Sequence, residues 1–497
     1  MSPIFLFLFA LPTFLVLYFQ KHKTKPLRKH PPGPKGLPFI GNLHQFDGKY
    51  PHKYLYNLSK QYGPIMSMKL GFRQVLVISS ANVIREIMKS HDLVFSGRPG
   101  LVTMQKLSYN GLDVAFSSYN EMWKEMRKVF HLHLFSIKQV QTFIPICKDE
   151  VSRMIKKISL DASMSRTSDL SEMMTSLSSN TICRVAFGKS YDKGHGKNRF
   201  FDLLRETQEV AGGFFVEDYL PSLRWIDKIS GMRAKLEKNF MDLDCFYQEL
   251  IEEHLDSNRP KATQGDIIDL LLGLKRDESS SIDLSLDHIK ALLMNIITGG
   301  TETSAATLVW AMTALMKNPM IMKKLQTEIR QLGAKKDMID EEQTAKLPYL
   351  KAVIKETFRL HPAVPLLVPR ETIQKCTLNG YEIQPGTLVY FNAWAIARDP
   401  EFWENPNEFL PERFLETDVD VRGRDAEVIP FGIGRRGCPG IAIGMAEVEL
   451  ALANLLYGFD WELPHGMQPA DIDFDVLPGM TMHKKNPLCL IAKVVHS

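Results

Sequence analysis

The stretch Phe431-Gly432-Ile433-Gly434-Arg435-Arg436-Gly437-Cys438-Pro439-Gly440 runs directly into an apolar segment, residues 441–457, that has the pattern of a buried helix. Its glycines allow the backbone to pass close to a flat group. Cys438 stands at the amino-terminal, positive end of that helix, and the neighbouring cations Arg435 and Arg436 further favour a thiolate. A thiolate is the form of cysteine that binds metal, so the stretch predicts a metal ligand at Cys438.

The other five cysteines carry no such signal. They stand far apart, without a CxxC motif or a paired spacing, at positions 147, 183, 245, 376 and 489. This pattern argues against a disulfide framework and against a zinc ribbon. We interpret all five as small buried apolar residues of a protein in a reducing compartment.

Composition and periodicity indicate one large helical domain. The chain has 497 residues, of which 44% are hydrophobic and 24% charged, and it contains no internal repeat. Apolar residues recur at three and four positions in segments such as 151–158 and 240–255, while β-rich runs are few, around 74–79 and 377–390. The sequence predicts a mainly α fold with a minor β region. The net charge of +4, without a basic stripe, excludes nucleic acid as an expected partner.

One helical segment, Leu286 to Lys317, stands apart from the others. Ser285 is in the capping position, Asn318-Pro319 is a stop signal, and a helix of this length would run about 48 Å. Between Ala291 and Met316 the only charged side chain is Glu302. A second membrane span is the alternative, but the polar cluster Thr298-Gly299-Gly300-Thr301-Glu302-Thr303-Ser304 would be costly in lipid. We predict a buried central helix that is weakened at its glycines and opens a groove or kink there.

The amino terminus has the pattern of a membrane anchor. Residues 1–19 contain no charged side chain, and residues 4–19 are almost wholly apolar. A basic cluster follows this run at Lys21, Lys23, Lys25, Arg28 and Lys29. A cleaved secretory signal, the alternative, would carry its basic residues before the apolar run, and the positive-inside rule keeps this cluster in the cytosol.

We therefore predict a retained anchor over residues 1–20, a basic and proline-rich hinge over residues 21–42, and one globular domain over residues 43–497. The prolines in residues 30–38 exclude helix and favour an extended, semi-rigid spacer, with a plain flexible linker as the alternative.

The stretch around Cys438 resembles the haem-binding loop of the cytochrome P-450 superfamily. The family pattern F-x-x-G-x-R-x-C-x-G is met at Phe431, Gly434, Arg436, Cys438 and Gly440. The resemblance implies the cytochrome P-450 fold, with a long central helix over haem b, Cys438 as the axial ligand to the iron, and residues 43–497 as a haem-thiolate catalytic domain. It implies a single amino-terminal transmembrane anchor as well.

Further family elements stand in the expected order along the chain. Glu356-x-x-Arg359 is similar to the family's helix pair, and Arg413 in Pro411-Glu412-Arg413-Phe414 would join that pair in a buried ionic network. Alone, an E-x-x-R pair is usually a surface contact of small value. The cations and the tryptophan expected to contact the haem propionates are Trp123, Arg127, Arg370 and Arg436.

The middle of the central helix resembles the family's oxygen-binding groove. Gly299 and Gly300 would lie against the cofactor, Thr303 would hydrogen-bond the reacting oxygen, and Glu302 would relay protons from solvent. Many relatives carry Asp at the position of Glu302, so the geometry of this relay can differ.

The resemblance implies insertion of one oxygen atom of O₂ into a small apolar substrate. The chain has no nicotinamide or flavin fingerprint, so NADPH and flavins would act only through a separate partner, NADPH-cytochrome P-450 reductase. Arg435, Lys484 and Lys485 are candidates for its docking face. A haem-thiolate isomerase or dehydratase and a non-catalytic haem- or sterol-binding protein are the competing interpretations.

The anchor, the hinge and the phrase at residues 355–362 are most similar to plant microsomal enzymes of specialised metabolism. This implies a monomer in the endoplasmic reticulum membrane, single-pass, with its catalytic domain facing the cytosol. By the same resemblance, substrate contacts would come from residues 98–116, 212–215, 363–368 and 478–482. These residues do not name the substrate, and hydroxylation, epoxidation, demethylation and ring closure all stay open.

Overall fold

The computed structural model describes residues 30–191, 195–259, 265–277, 283–333 and 337–495, with the backbone alone for residues 195–198. The predicted anchor, residues 1–20, and the basic half of the predicted hinge lie outside these residues. The α-helices, in chain order, are α1 (Pro51–Tyr62), α2 (Ala81–Ser90), α3 (Val102–Leu107), α4 (Glu121–Lys128), α5 (Ile137–Ser163), α6 (Leu170–Phe187), α7 (His195–Ala211), α8 (Val216–Tyr219), α9 (Trp225–Ile229), α10 (Met232–Leu255), α11 (Ile267–Arg276), α12 (Leu286–Lys317), α13 (Pro319–Gly333), α14 (Glu341–Thr344), α15 (Pro348–Leu360), α16 (Ala393–Ile396) and α17 (Ile441–Gly458).

The strands are short and form three small sheets. They are β1 (Ile65–Leu70), β2 (Arg73–Ile78), β3 (Thr167–Asp169), β4 (Arg370–Glu371), β5 (Cys376–Leu378), β6 (Tyr381–Ile383), β7 (Leu388–Phe391), β8 (Phe459–Glu462) and β9 (Cys489–Val494). One sheet has the order β1-β2-β7-β4, in which only the β2-β7 pair is parallel. The others are β3-β9-β8 and β5-β6, both antiparallel. The predicted mainly α fold with a minor β region is confirmed.

The central helix α12 begins and ends where the sequence predicts. The Ser285 side chain accepts a hydrogen bond from the backbone N–H of His288, and the helix ends at Lys317 before Pro319. Most of its side chains are buried, and it packs against α6 and α17 in the protein core. The helix continues through Gly299 and Gly300, so the predicted kink is not present as a break. The space beside Gly299 is open, which leaves a groove at that point.

One helix in the described part of the chain is long and apolar enough to cross a membrane. It is α17, the helix that follows Cys438, and more than half of that segment is buried inside the protein.

The described part of the predicted hinge, residues 30–42, lies along strand β1. The Ser67 N–H donates to the Pro32 carbonyl across 2.8 Å, and the Asn42 N–H donates to the Lys69 carbonyl across 2.5 Å. A side chain at Gly33 would meet the Ser67 carbonyl oxygen at 1.7 Å, so only glycine allows this close approach. This part of the hinge is therefore fixed to the globular body, and the alternative of a flexible linker fails here.

The cysteines only partly follow the prediction. Cys147, Cys183 and Cys376 are buried, whereas Cys489 is partly buried and Cys245 is exposed on α10. None of the six is in a disulfide. Cys245 lies on the polar face of an amphipathic helix, a position that a count of cysteine spacings does not reveal.

Candidate active site

Cys438 lies in the loop that precedes α17. Its backbone N–H donates to the Phe431 carbonyl across 2.8 Å, which closes the loop. The Gly440 N–H donates to the Cys438 sulfur, 3.3 Å away. Gly432 and Gly434 have φ values of 71° and 69°, a left-handed conformation that a side chain would strain. The loop thus holds the sulfur at a fixed place on the wall of a cavity.

This cavity lies between the Cys438 loop and the middle of α12, and its lining is mostly apolar. From α12 the wall includes Met294, Asn295, Ile296, Thr298, Gly299, Gly300, Thr303, Ser304 and Thr307. Three of the four predicted substrate ranges contribute to it, through Arg98, Leu107, Val114, Ala115, Phe116, Ala363, Val364, Leu367, Val368, Met480 and Thr481. Phe431 and Gly440 line the cavity as well.

Four guanidinium groups share this cavity: Arg98, Arg127, Arg370 and Arg436. Each of the four donates hydrogen bonds to backbone carbonyl groups rather than to carboxylates, and the acceptors are Ala115, Val368, Pro369, Gly437, Ile433, Ser96, Val114 and Ser117. Burial lowers the pKa of Arg436 to about 9 and that of Arg370 to about 10. The Nη1 atom of Arg370 is buried without a hydrogen-bond partner. Asp113 and Asp92 offset part of this charge at longer range, but no carboxylate among the described residues pairs directly with the four groups. Buried cations without a direct partner are costly, so the site suits an anionic group.

The predicted acid and alcohol of α12 face different surroundings. Thr303 lines the cavity, and its hydroxyl donates to the Gly299 carbonyl across 2.7 Å. Glu302 does not line the cavity, and its Oε2 atom lies 3.1 Å from Nε2 of His483. The Glu302 side chain is 15% exposed and the His483 side chain 32%. The pair therefore connects the middle of the central helix with solvent.

The structure brings Glu356, Arg359 and Arg413 together away from the cavity. The Arg359 guanidinium donates to both Glu356 carboxylate oxygens, across 2.7 and 2.8 Å, and Arg413 Nε donates to one of them across 3.2 Å. Glu356 and Arg359 are fully buried on α15. Arg359 also donates to the carbonyl groups of Ala397, Pro406 and Glu408. The network ties α15 to the loop that follows α16.

Comparison with known proteins decides the family. The model of the cytochrome P-450 family matches residues 31–491. The chain belongs to the cytochrome P-450 family. It is 48% identical to 6,7,8-trihydroxycoumarin synthase of Pastinaca sativa, over 99% of each chain. It is 47% identical to strychnine-11-hydroxylase of Strychnos nux-vomica, over 96% of this chain and 94% of that one. A zebrafish cytochrome P-450 solved with progesterone has a TM-score of 0.76 at 27% identity and covers 89% of this chain and 99% of its own.

This cytochrome P-450 is a monooxygenase of the oxidoreductase class, and its cofactor is haem b. The cavity wall fits that group. The Cys438 sulfur lies on one side of the cavity, and glycines leave space beside the loop and at Gly299. Four guanidinium groups that have no carboxylate partner also line it. Haem b carries two propionates, which are the anions that these cations lack.

The sequence predicts that Arg435 and Arg436 favour the thiolate form of Cys438, but the structure shows other influences on the pKa of this thiol. Burial raises the pKa of the thiol, while the Gly440 N–H and the Arg127 guanidinium act in the opposite direction. Arg435 and Arg436 do not supply this effect: Arg435 pairs with Asp92 across 3.2 Å, and Arg436 turns to backbone carbonyl groups. Coordination to a metal, rather than nearby cations alone, would hold the sulfur as a thiolate.

Two of the residues predicted to bind the cofactor, Trp123 and Gly434, do not line the cavity, and a third, Gly300, lines it while it also packs against α6. Trp123 does not line the cavity, and its ring lies beneath the Arg436 guanidinium, 4.3 Å from ring centroid to carbon. Gly434 lies outside the wall too, where a side chain would meet Asp92 at 2.5 Å. Gly300 reaches the cavity, but a side chain there would meet Ile182 of α6 at 2.4 Å. Trp123 therefore supports Arg436, while the two glycines permit close packing.

The predicted substrate range 212–215 does not line the cavity. Phe215 is fully buried in the core, and Phe214 is exposed and stacks on Tyr219, 5.2 Å between ring centroids. The wall is formed instead by the last turns of α7, through Thr207, Gln208 and Ala211. The residues that line the cavity therefore lie about one helical turn before the predicted range.

Sequence reasoning missed the parts played by three residues. Arg98 was predicted to contact the substrate, but it belongs to the group of four arginines that line the cavity. No nearby sequence motif indicated that His483 pairs with Glu302. Glu447 of α17 lines the cavity, and burial raises its pKa to about 7. An acidic residue within an otherwise apolar helix could have indicated Glu447 as a candidate functional residue.

The predicted docking face needs correction at Lys484. Its side chain is 3% exposed and pairs with Asp473 across 2.9 Å. Lys484 follows His483, which contacts Glu302 of α12, so this segment lies beside the central helix and not beside the Cys438 loop. Arg435 stays a candidate, since half of its side chain is exposed.

Proposed function

We propose that this cytochrome P-450 uses O₂ and NADPH to insert one oxygen atom into a small apolar plant metabolite, while the second oxygen atom leaves as water. The two electrons come from a separate membrane-bound flavoprotein, NADPH-cytochrome P-450 reductase. The observation that carries the proposal is that Cys438 and Thr303 line one apolar cavity. A thiolate ligand and an alcohol beside the same cavity suit oxygen activation next to an apolar substrate.

Each wall residue then has a defined part. The Cys438 thiolate would hold haem b, which would supply the cleavage of dioxygen when bound. Arg98, Arg127, Arg370 and Arg436 would pair with its propionates and fix its orientation. Gly299 leaves open space beside α12, and the Thr303 hydroxyl, which donates to the Gly299 carbonyl, would turn into that space to hydrogen-bond the reacting oxygen.

Protons reach the cavity along the other face of α12. His483, which is partly exposed, takes a proton from solvent and passes it to the Glu302 carboxylate 3.1 Å away. Glu302 stands next to Thr303 in the chain, so a proton held on Glu302 is one residue away from the alcohol in the cavity. Delivery of this proton decides between oxygen insertion and release of hydrogen peroxide.

Replacing His483 with glutamine is expected to lower the rate of product formation by up to about tenfold and to raise the share of electrons lost as hydrogen peroxide. The amide keeps a hydrogen bond to Glu302 but cannot carry a proton. Product and peroxide are measured together per NADPH consumed, in light and in heavy water. Lys346→Gln changes an exposed lysine outside the relay, the cavity and the docking face, so this control should leave both unchanged. Equal coupling and an equal solvent isotope effect in H483Q and the parent protein would contradict the relay.

The relatives support a substrate from plant specialised metabolism. One of them is named for the synthesis of a trihydroxycoumarin, and another for the hydroxylation of strychnine. The apolar wall, with Phe116, Phe130 and Ile443, favours a small apolar ring system over a charged or sugar-like compound. The reaction type among hydroxylation, epoxidation, demethylation and ring closure depends on how that ring lies against the haem.

We place the enzyme on the endoplasmic reticulum membrane as a monomer, with residues 1–20 as a single-pass anchor and residues 43–497 in the cytosol. A group of exposed apolar side chains supports this orientation: Phe39, Phe72, Phe214, Trp225 and Ile229. Two contacts bring part of the group together, because the Phe72 N–H donates to the Tyr219 carbonyl across 2.8 Å and Tyr219 stacks on Phe214. Apolar side chains of this kind suit a lipid surface.

The reductase would dock beside the Cys438 loop. Helix α4 contacts that loop, since Arg127 donates to the Gly437 carbonyl. Lys128 on the same helix and Arg435 on the loop are each about half exposed, which provides cations for an acidic partner.

The test of the proposed function is turnover with and without the reductase. Membranes that contain the full chain, NADPH and the reductase should convert a plant coumarin or alkaloid with incorporation of one atom from labelled O₂. Omission of the reductase should stop conversion. Product formation without reductase and without labelled oxygen would point to the isomerase or dehydratase. Haem binding with no turnover of any compound tested would point to a binding protein.

A further inference from the structure

A second cleft, separate from the Cys438 cavity, lies at the carboxyl-terminal end of α12. It has a volume of about 560 Å³ and is bounded by α1, α12, α15, α16 and the segments around residues 407–410 and 474–482. None of its lining residues also lines the Cys438 cavity. The function proposed above involves no residue of this cleft, so a ligand bound in the cleft would be independent of that function.

Three aromatic rings in the wall of the cleft stack on one another, with Trp310 fully buried and Phe474 38% exposed at the outer end of the stack. Trp310, His361 and Phe474 all line it, with ring planes within 14° of one another. The centroid of the His361 ring lies 4.9 Å from that of Trp310 and 5.2 Å from that of Phe474. Parallel rings at these distances favour a further planar ring in an offset stack.

His361 adds a polar group to this wall. Its ring makes no hydrogen bond to any residue that the structure describes, and burial lowers its pKa to about 3. A neutral imidazole next to a cleft has one donor and one acceptor nitrogen to offer to a ligand.

Three cations also line the cleft: Lys53, Lys317 and Arg398. None of them is ion-paired with a carboxylate among the described residues. Lys317 donates to the Ile472 carbonyl across 2.5 Å, and Arg398 donates to the carbonyl groups of Leu360 and Trp394 across 2.6 and 3.2 Å. The one acidic residue of the wall, Glu408, is exposed at its edge. The cleft therefore carries an excess of two positive charges.

The two cavities are separated by one hydrogen-bonded layer. The Trp310 indole N–H donates to the Met482 carbonyl across 2.7 Å, and the Met482 N–H donates to the Ala363 carbonyl across 2.7 Å. Ala363 lines the Cys438 cavity on the other side. An occupant of the cleft would contact the back of the wall that the substrate contacts.

We propose that this cleft is a second ligand site, which binds a planar aromatic anion such as an aromatic carboxylate or phenolate. The ring stacks on the exposed part of Phe474, which ends the stack of Trp310, His361 and Phe474, and the anionic group pairs with Lys53, Lys317 and Arg398. Both halves of the ligand are needed: a neutral ring lacks the charge, and a non-planar anion cannot stack.

The test uses the full-length, haem-loaded protein with its Cys438 cavity filled by saturating clotrimazole. Naphthoate is the probe, and its binding is measured by titration calorimetry. Naphthylmethanol, a neutral planar ring, and cyclohexanecarboxylate, a non-planar anion, are the ligand controls. We expect saturable binding of one naphthoate per chain, and much weaker binding of both controls.

Variants test the place of binding. Lys53→Gln with Lys317→Gln should weaken naphthoate binding by about fivefold, which corresponds to about 1 kcal/mol for the two partly exposed charge pairs together. Lys60→Gln with Lys323→Gln changes exposed lysines of α1 and α13 outside the cleft and should leave the affinity unchanged. The proposal is overturned if the azole-filled protein binds no naphthoate, if naphthylmethanol binds equally well, or if the two double variants bind alike. None of these results bears on turnover with the reductase, which tests the proposed function separately.

Discussion

Replacing Cys438 with serine is expected to abolish oxygen insertion while the fold remains. A serine hydroxyl does not ionise near neutral pH and cannot push electron density toward iron as a thiolate does. The loop itself should survive, because the backbone N–H of residue 438 holds it to the Phe431 carbonyl and the side chain does not. Product formation with reductase and NADPH is the measurement, with circular dichroism as the check on folding.

Cys489→Ser is the matched control for this change. Cys489 is partly buried on β9 and remote in the chain from the haem loop, so its loss should leave turnover intact. A folded C438S protein with the turnover of the parent would contradict the assignment of Cys438 as the ligand.

Replacing Glu356 with glutamine should produce the largest loss of stability among single changes outside the cavity. It leaves the Arg359 guanidinium fully buried without its anion, and removal of one partner from a buried ion pair costs about 3–5 kcal/mol of unfolding free energy. The Leu410 N–H, which donates to Glu356 across 2.9 Å, loses a charged acceptor in the same step. We expect little haem-loaded E356Q protein in membranes and a clear fall in its melting temperature.

The control for E356Q is Glu412→Gln in the same region. Glu412 pairs with Lys324 across 2.7 Å at the surface, with both side chains about half exposed. An exposed pair contributes at most about 1 kcal/mol, so E412Q should keep its haem and nearly all of its stability. Equal haem content and melting temperature in E356Q and E412Q would show that the buried network does not stabilise the fold.

Much of the architecture could be read from local patterns. The ends of α12 are set by Ser285 and Pro319, signals that act within one turn of the chain, and the structure agrees with both. The Cys438 stretch is a glycine-rich loop before an apolar helix, and its backbone conformation is again determined by residues that are close in sequence. Such features depend on neighbours in sequence, which is why the prediction could reach them.

Contacts between distant segments could not be read in this way. His483 meets Glu302 across 181 positions of the chain, and Arg98 meets the carbonyl of Pro369 across 271. The sequence around a histidine or an arginine does not indicate which distant residue it contacts. For this reason Arg98 was predicted to contact the substrate, and Lys484 was predicted to lie on a docking face. The range 212–215 failed for a related reason, because the end of α7 decides which turn faces the cavity.

Thiolate ligation of haem iron by Cys438 is tested by a carbon monoxide difference spectrum of reduced membranes that contain the expressed protein. We expect a Soret band at the long-wavelength position of a thiolate-ligated haem, and no such band in C438S. A correctly folded, haem-supplemented protein without this band, or a C438S protein that retains it, would show that Cys438 is not the thiolate ligand.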